Sequence, residues 1–313
     1  MIFLVTGLLV NNGLSKELYP DRPITMVTPG GAGMGDTLNR LIAKAAEKEL
    51  GQPIIIENKP GAAGTIGMNY TLKSKPDGYT IGANATGVYT IIPHMRKLPY
   101  NPFTDVIDIT AFYKYNFALA ISVDAPWNTF EEIIQYAKNN PGKLTYSTTG
   151  VGRAQHIMME WIAMKERIKW THVPIEGGGP AVIACLGGHV NATAQGSVDL
   201  LPHVKAGKLK LILILENKRW PAFPGVPSML DKGYNFYAAS CGCILAPMGV
   251  PEDIIKKLEG VFEKAKRDPS FTKALEDFQV EGSTLSGKEY SALWRSQYDE
   301  IGKVINALGL QEK

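Results

Sequence analysis

Short apolar runs and amphipathic stretches alternate along most of the chain. Ile24-Thr25-Met26-Val27 reads as a short buried strand. Residues 29–36, Pro-Gly-Gly-Ala-Gly-Met-Gly-Asp, follow as an irregular glycine-rich loop. Leu38, Leu41, Ile42 and Ala45 then recur on one face of a helix. Asp36 stands where it caps that helix and Gly51 where it ends it. Ile54-Ile55-Ile56 is the next buried strand; loop 58–64 leads to another helix, and Pro76-Asp77-Gly78 turns the chain into a strand over 79–83.

The middle repeats this alternation. Phe130, Ile133, Ile134 and Ala137 form a helix stripe closed by Asn140-Pro141-Gly142. A strand over 144–147 runs into a loop over 148–152, and Ile157, Met158, Trp161 and Ile162 mark the next helix face. Residues 209–215 are almost all aliphatic, the pattern of a parallel strand covered on both faces. Pro251 opens a helix carrying Ile254, Ile255, Leu258 and Phe262, and Ser286-Gly287-Lys288-Glu289 is a capping box before the last helix. Strands alternating with helices predict an α/β architecture with parallel sheets.

The 313-residue length suggests about two domains. With 32 glycines and 20 prolines, tight turns must be frequent, as alternating strands and helices require. A net charge of +3 and the absence of a basic run argue against nucleic acid as a partner. Residues 1–10 are apolar apart from Thr6: too short to cross a bilayer, but matched to the core of a secretory signal peptide. Gly13-Leu14-Ser15 supplies small residues for cleavage, whereas a basic start is missing. An N-terminal apolar strand is the alternative. Cys185, Cys241 and Cys243 lack metal-site spacing and read as small buried thiols.

Templates for catalysis are missing from the chain. No Gly-x-Ser-x-Gly elbow and no P-loop occurs, and the glycine spacing over 30–35 does not fit a dinucleotide fingerprint. His94, His156, His172, His189 and His203 show no i, i+4 metal pairing. What stands out is a set of glycine-rich, uncharged strand-to-helix junctions, where outward backbone N–H groups backed by a helix dipole can hold an anion. Two are prominent, 29–36 and 148–156. In the second, Thr148 and Thr149 offer hydroxyls beside the backbone of Gly150 and Gly152, and Arg153 falls in the first helical turn. A cation there opposes the dipole, unless a bound carboxylate pairs with it. A solvated Arg153 is the equal alternative. His156 reads as a hydrogen-bonded junction residue rather than a base, because nothing near it in sequence would orient it. The 176–180 run, Glu-Gly-Gly-Gly-Pro, is a third junction or a plain turn.

These loops belong to an ordered set of short motifs: Tyr19-Pro20-x-Arg22-Pro23-Ile24, Gly51-Gln52-Pro53, and Glu57-Asn58-Lys59-Pro60-Gly61-Ala62-Ala63-Gly64. Pro76-Asp77-Gly78-Tyr79-Thr80, Ala137-Lys138-x-x-Pro141-Gly142-Lys143 and His172-Val173-Pro174 follow. Gly177-Gly178-Gly179-Pro180-Ala181, Ala206-Gly207-Lys208-Leu209, Pro224-x-Val226-Pro227-Ser228 and Ala246-Pro247-x-Gly249-Val250-Pro251 complete it. In this order and spacing the chain resembles the extracytoplasmic substrate-binding proteins of tripartite tricarboxylate transporters, the Bug family.

The resemblance implies a type II periplasmic binding-protein fold, in which two lobes, each with a central sheet flanked by helices, close a cleft on a small organic carboxylate. The expected division is residues 1–15 as a signal-peptide remnant, 16–121 with 242–313 as one lobe, and 122–241 as the other. Ligand contacts are expected from Pro29, Gly31, Ala32, Gly33, Gly35 and Asp36 in one loop. Thr148, Thr149, Gly150, Arg153 and His156 belong to the other, with Thr86, Gly87, Gln195 and Ser197 as further walls. The implied protein is a periplasmic receptor and not an enzyme, without cofactor or metal. It would deliver a di-, tri- or aromatic carboxylate to a membrane permease, with a sensor kinase as a compatible partner. The rival is an enzyme with a phosphate-bearing cofactor at 29–36. Three departures fall where selectivity is set: Pro29 replaces an aromatic, Arg153 a small hydroxyl residue, and Ile175-Glu176 an aromatic–basic pair.

Overall fold

In the computed structural model, which describes residues 19–29, 34–278 and 280–311, the apolar runs assemble into two separate sheets. The expected signal segment 1–15 lies outside the described residues. The chain first lays down β1 (Ile24–Thr28), β2 (Ile54–Asn58), β3 (Thr80–Ala85) and β4 (Val106–Lys114). It then builds β5 (Phe117–Ser122), β6 (Thr145–Thr148), β7 (Thr171–Pro174), β8 (Ala192–Gly196) and β9 (Leu209–Ile214), and returns through β10 (Cys241–Pro247) and β11 (Glu281–Gly282). Strand order is β11-β4-β10-β3-β1-β2 in the first sheet and β7-β6-β8-β5-β9 in the second.

Both sheets are mixed, which corrects the expectation of parallel ones. Strand β1 pairs in parallel with β2 and β3, and β6 with β7 and β8. Strand β10, however, runs against β3 and β4, and β5 against β8 and β9. The physical reason is the route of the chain: β5 and β10 each arrive from the other lobe and so enter their sheet from the opposite end. The 209–215 run is corrected with them, because β9 is an edge strand antiparallel to β5. Its aliphatic character comes from cover on both sides, with Leu211 and Ile214 packing beside Leu200 and Trp220, and Leu213 beside Leu119.

The helices flank these sheets: α1 (Met34–Leu50), α2 (Thr65–Leu72), α3 (Gly87–Thr90), α4 (Ile92–Met95), α5 (Phe130–Asn139) and α6 (Ala154–Glu166). After them come α7 (Gly178–Leu186), α8 (Ser197–Lys205), α9 (Glu252–Ala265), α10 (Pro269–Phe278) and α11 (Gly287–Leu308). Helix α1 buries Leu38, Ile42 and Ala45 and ends at Gly51, whose φ of 70° suits a residue without a Cβ. Asp36 is not its cap; it lies inside the first turn. The Ser286–Glu289 capping box forms at the start of α11. Cys241 and Cys243 are buried on β10, and burial pushes both thiols up to about 12.

The chain crosses between sheets at Tyr115 and Asn116, so β5 pairs wholly within the second sheet, although the expected division put most of it in the first lobe. It crosses back just before β10. Ile301, Val304 and Ile305 of α11 join the second lobe's core beside Trp161 and Phe130, which takes the last helix across the expected division too. At the crossing, Glu281 of β11 accepts from Lys114 at 3.3 Å and from Lys218, just after β9, at 3.1 Å.

Candidate functional site

Because β5 and β10 arrive from the crossing, the remaining strands of both sheets, the two-residue β11 apart, end at it. The helices that follow them therefore start there, with unpaired N–H groups and the positive end of the helix dipole. Helix α1 starts from the first lobe, and α6, α7 and α8 from the second.

In the first lobe, Pro29 is half-buried at the end of β1. Gly31, Ala32 and Gly33 lie outside the described residues. Gly35, in the first turn of α1, faces the crossing segment: a Cβ there would stand 3.2 Å from the Tyr115 hydroxyl and 3.4 Å from that of Tyr113. The Tyr113 hydroxyl donates to Tyr115 at 3.0 Å, which leaves the Tyr115 proton available to another acceptor. The Asp36 carboxylate is occupied otherwise. It accepts from Arg40 at 2.8 Å and from Asn58 Nδ2 at 3.3 Å, tying α1 to the end of β2. Thr86 is fully buried, and its hydroxyl accepts the Cys241 N–H at 2.8 Å and the Tyr290 hydroxyl at 3.1 Å. That side chain locks the β3–α3 junction to β10 and α11. Gly87 opens α3 beside it and is partly exposed.

The second-lobe loop is braced from within. Thr148 Oγ1 donates to the Gly150 carbonyl at 3.0 Å, accepts the Gly150 N–H at 3.2 Å and lies 2.8 Å from His172 Nε2. Thr149 accepts from Gln155 at 2.7 Å. Gly152, at φ 71°, lies so close to α4 that a Cβ would meet Met95 Sδ at 2.6 Å. Its N–H donates to His156 Nδ1 at 3.2 Å. His156 stacks on His172 with ring centroids 4.0 Å apart, and burial, then the neighbouring ring, lowers its pKa to about 3. A neutral, hydrogen-bonded His156 is the junction residue the sequence suggests. Arg153 is not in the first helical turn but at the N-cap of α6, in extended conformation, exposed and without an ion pair to a described residue.

The third wall follows β8. Gln195 is fully buried; its Nε2 donates to Thr193 at 3.1 Å, while Oε1 has no partner among the described residues. Ser197 is buried at the start of α8 and donates its N–H to the Asn116 carbonyl at 2.8 Å. Asp199, one turn on, is half-buried, and desolvation raises its carboxyl. Its Oδ2 lies so near Gly178, the first residue of α7, that a Cβ there would stand 2.0 Å away. The triple glycine is thus shaped by a close approach at the α7 N-terminus.

Sequence reasoning missed Tyr113, Tyr115, Asn116 and Asp199. Burial raises the Tyr115 hydroxyl above the usual phenol range; the Tyr113 hydrogen bond and the Arg153 charge act against that rise and the Asp199 charge adds to it, so both charges are felt at this hydroxyl. The one legible signal was Asp199: an acidic residue in the first turn after a buried strand. Taken together, the junctions present helix N-termini, a tyrosine hydroxyl and one guanidinium to the crossing. That arrangement suits holding an anion. Among the described residues, no group of His, Cys, Asp and Glu gathers as a metal set, and no helix is long and apolar enough to cross a membrane.

The family model described as "Tripartite tricarboxylate transporter family receptor" matches residues 38–310. The UPF0065 protein in the gbd 5' region of Cupriavidus necator is 36% identical over 297 residues, covering 94% of this chain and 90% of that relative. MatC from Rhodopseudomonas palustris, solved with bound malate, is 26% identical with a TM-score of 0.76, covering 92% of this chain and 100% of that one. Another R. palustris protein, solved with adipate, is 25% identical with a TM-score of 0.78, covering 93% and 98%.

Proposed function

The chain belongs to the receptor family of tripartite tricarboxylate transporters, and from that premise we propose that it is a periplasmic receptor for a small organic carboxylate, which it hands to a tripartite-type membrane permease. The family and its solved neighbours are solute-binding receptors rather than enzymes, so the rival reading of a phosphate-bearing cofactor at 29–36 gives way. One observation carries the ligand class: Arg153, exposed and without an ion pair among the described residues at the N-cap of α6, acts on the Tyr115 hydroxyl, which faces the first turn of α1. Two helix N-termini, a hydroxyl donor and a guanidinium together favour a carboxylate over a neutral solute. Malate and adipate on the two neighbours support the same class.

The test is a thermal-shift screen of mono-, di- and tricarboxylates after copurified ligand has been removed by unfolding and refolding. At least one carboxylate should raise the melting temperature in a concentration-dependent way. If none does, the reading fails.

A further inference from the structure

Hydrogen-bond acceptors without donors collect on one side of the crossing. Asn116 Oδ1 and Gln195 Oε1 are buried and have no partner among the described residues. Buried amide oxygens in native proteins are almost always satisfied, so an orphan pair calls for a missing donor. The Asp199 carboxylate makes no hydrogen bond or ion pair to a described residue, although burial already penalises its charge. These groups surround Gly196: Gln195 precedes it, and a Cβ built on it would stand 3.8 Å from Asp199 Oδ2 and 4.0 Å from the Asn116 main-chain oxygen. Strand pairing sets Gln195 opposite Ala118, two residues beyond Asn116, which puts the two amides on one face of the sheet.

We propose that Asp199, with Asn116 and Gln195, selects a ligand that carries an ammonium group beside its carboxylate, so that the receptor prefers an amino acid to the matching plain acid. The stoichiometry favours ammonium over hydroxyl. An ammonium brings three donors and one positive charge; the site offers three acceptor groups and one negative charge. A hydroxyl would satisfy a single acceptor and leave Asp199 uncompensated. The α1 N-terminus and the Tyr115 hydroxyl beside it hold the carboxylate next to the ammonium, which leaves Arg153 for a second carboxylate. The dipole of α7 favours the Asp199 charge but supplies no hydrogen bond to it. This inference rests on the receptor reading above and specifies its ligand.

The experiment is calorimetric titration of the ligand-stripped, refolded protein with three matched pairs: succinate and aspartate, glutarate and glutamate, 3-phenylpropionate and phenylalanine, with malate as the hydroxyl control. In the pair that fits the cleft, the amino acid should bind at least about tenfold more tightly than the plain acid, and malate should fall short of aspartate. Asp199→Asn should remove most of that gain while leaving the plain acid within about twofold. A plain acid binding as tightly as its amino partner, malate exceeding aspartate, or equal losses for both members in Asp199→Asn would each overturn the inference and leave the receptor reading intact. Should Asp199→Asn fail to fold, the wild-type pairs decide alone. No binding by any probe in the calorimeter or in the thermal-shift screen would overturn both.

Discussion

The two principal walls of the site are built by opposite means. The β6–α6 wall is self-sufficient: Thr148, Gly150, Gly152, His156 and His172 hold one another, and the loop needs nothing from the other lobe to keep its shape. The β1–α1 wall borrows its chemistry. Asp36 is committed to Arg40 and Asn58, so the hydroxyl at the first turn of α1 comes from Tyr115 on the crossing segment. One wall is braced from within; the other is completed by the crossing segment. A ligand bridging them would touch the segment that joins the two sheets.

The largest effect expected from breaking this contrast is at Gly178. A methyl group there would collide with Asp199, so Gly178→Ala should cost about 1–3 kcal/mol or more in urea unfolding and displace the carboxylate with it. An unchanged midpoint would show that Asp199 is free to move, and the third wall would then be soft.

Next comes Arg153, the guanidinium that the cradle does not use. Arg153→Ala should weaken a dicarboxylate roughly tenfold or more relative to its monocarboxylate analogue, since a charge-assisted bond is worth about 1.5–3 kcal/mol. Equal losses for both ligands would make its role long-range.

The cradle itself has a pH signature. Burial holds His156 and His172 neutral, with pKa values lowered to about 3 and about 4 from 6.5. The unfolded chain binds these protons first, so stability is complete above about pH 6.5 and falls as pH drops toward 4 and then 3. Urea midpoints across that window should fall less steeply for His172→Gln than for the parent. Identical slopes would mean the histidine stack does not couple to folding.

The smallest effect belongs to the link between lobes. Lys218 is exposed and Glu281 half-buried, so Lys218→Ala should change stability by no more than about 1 kcal/mol. A larger change would reveal that the pair controls how the lobes meet.

Local features of the fold were legible in the chain. The 3.6-residue stripes of α1 and α6, the glycine that ends α1 and the capping box of α11 are decided within a few residues, and the structure has them where the pattern puts them. Strand direction was not legible. The aliphatic runs at β9 and β10 carry no sign of which way their neighbours run, because that depends on which lobe the chain has just left. The site divides in the same way. Gly35 stands beside the Tyr115 hydroxyl, whereas the Thr86 hydroxyl is claimed by Cys241 and Tyr290, far along the chain. Tyr115 carried no local mark at all. Its importance comes from sitting between two sheets that the sequence does not show meeting.

The position of β10 has a consequence for how the molecule is made. It lies between β3 and β4, in the middle of the first sheet, yet it arrives only after the whole of the second sheet has been laid down. While the chain emerges from its N-terminus, β3 and β4 have no partner in common, and the first lobe stays split. The second lobe's sheet, by contrast, is contiguous from residue 117 to 214 and can close as soon as β9 appears. The sheet that begins first therefore finishes last. A nascent protein cut short before residue 241 would carry the second sheet complete, its core still short of α11, and β3 and β4 without the strand they share.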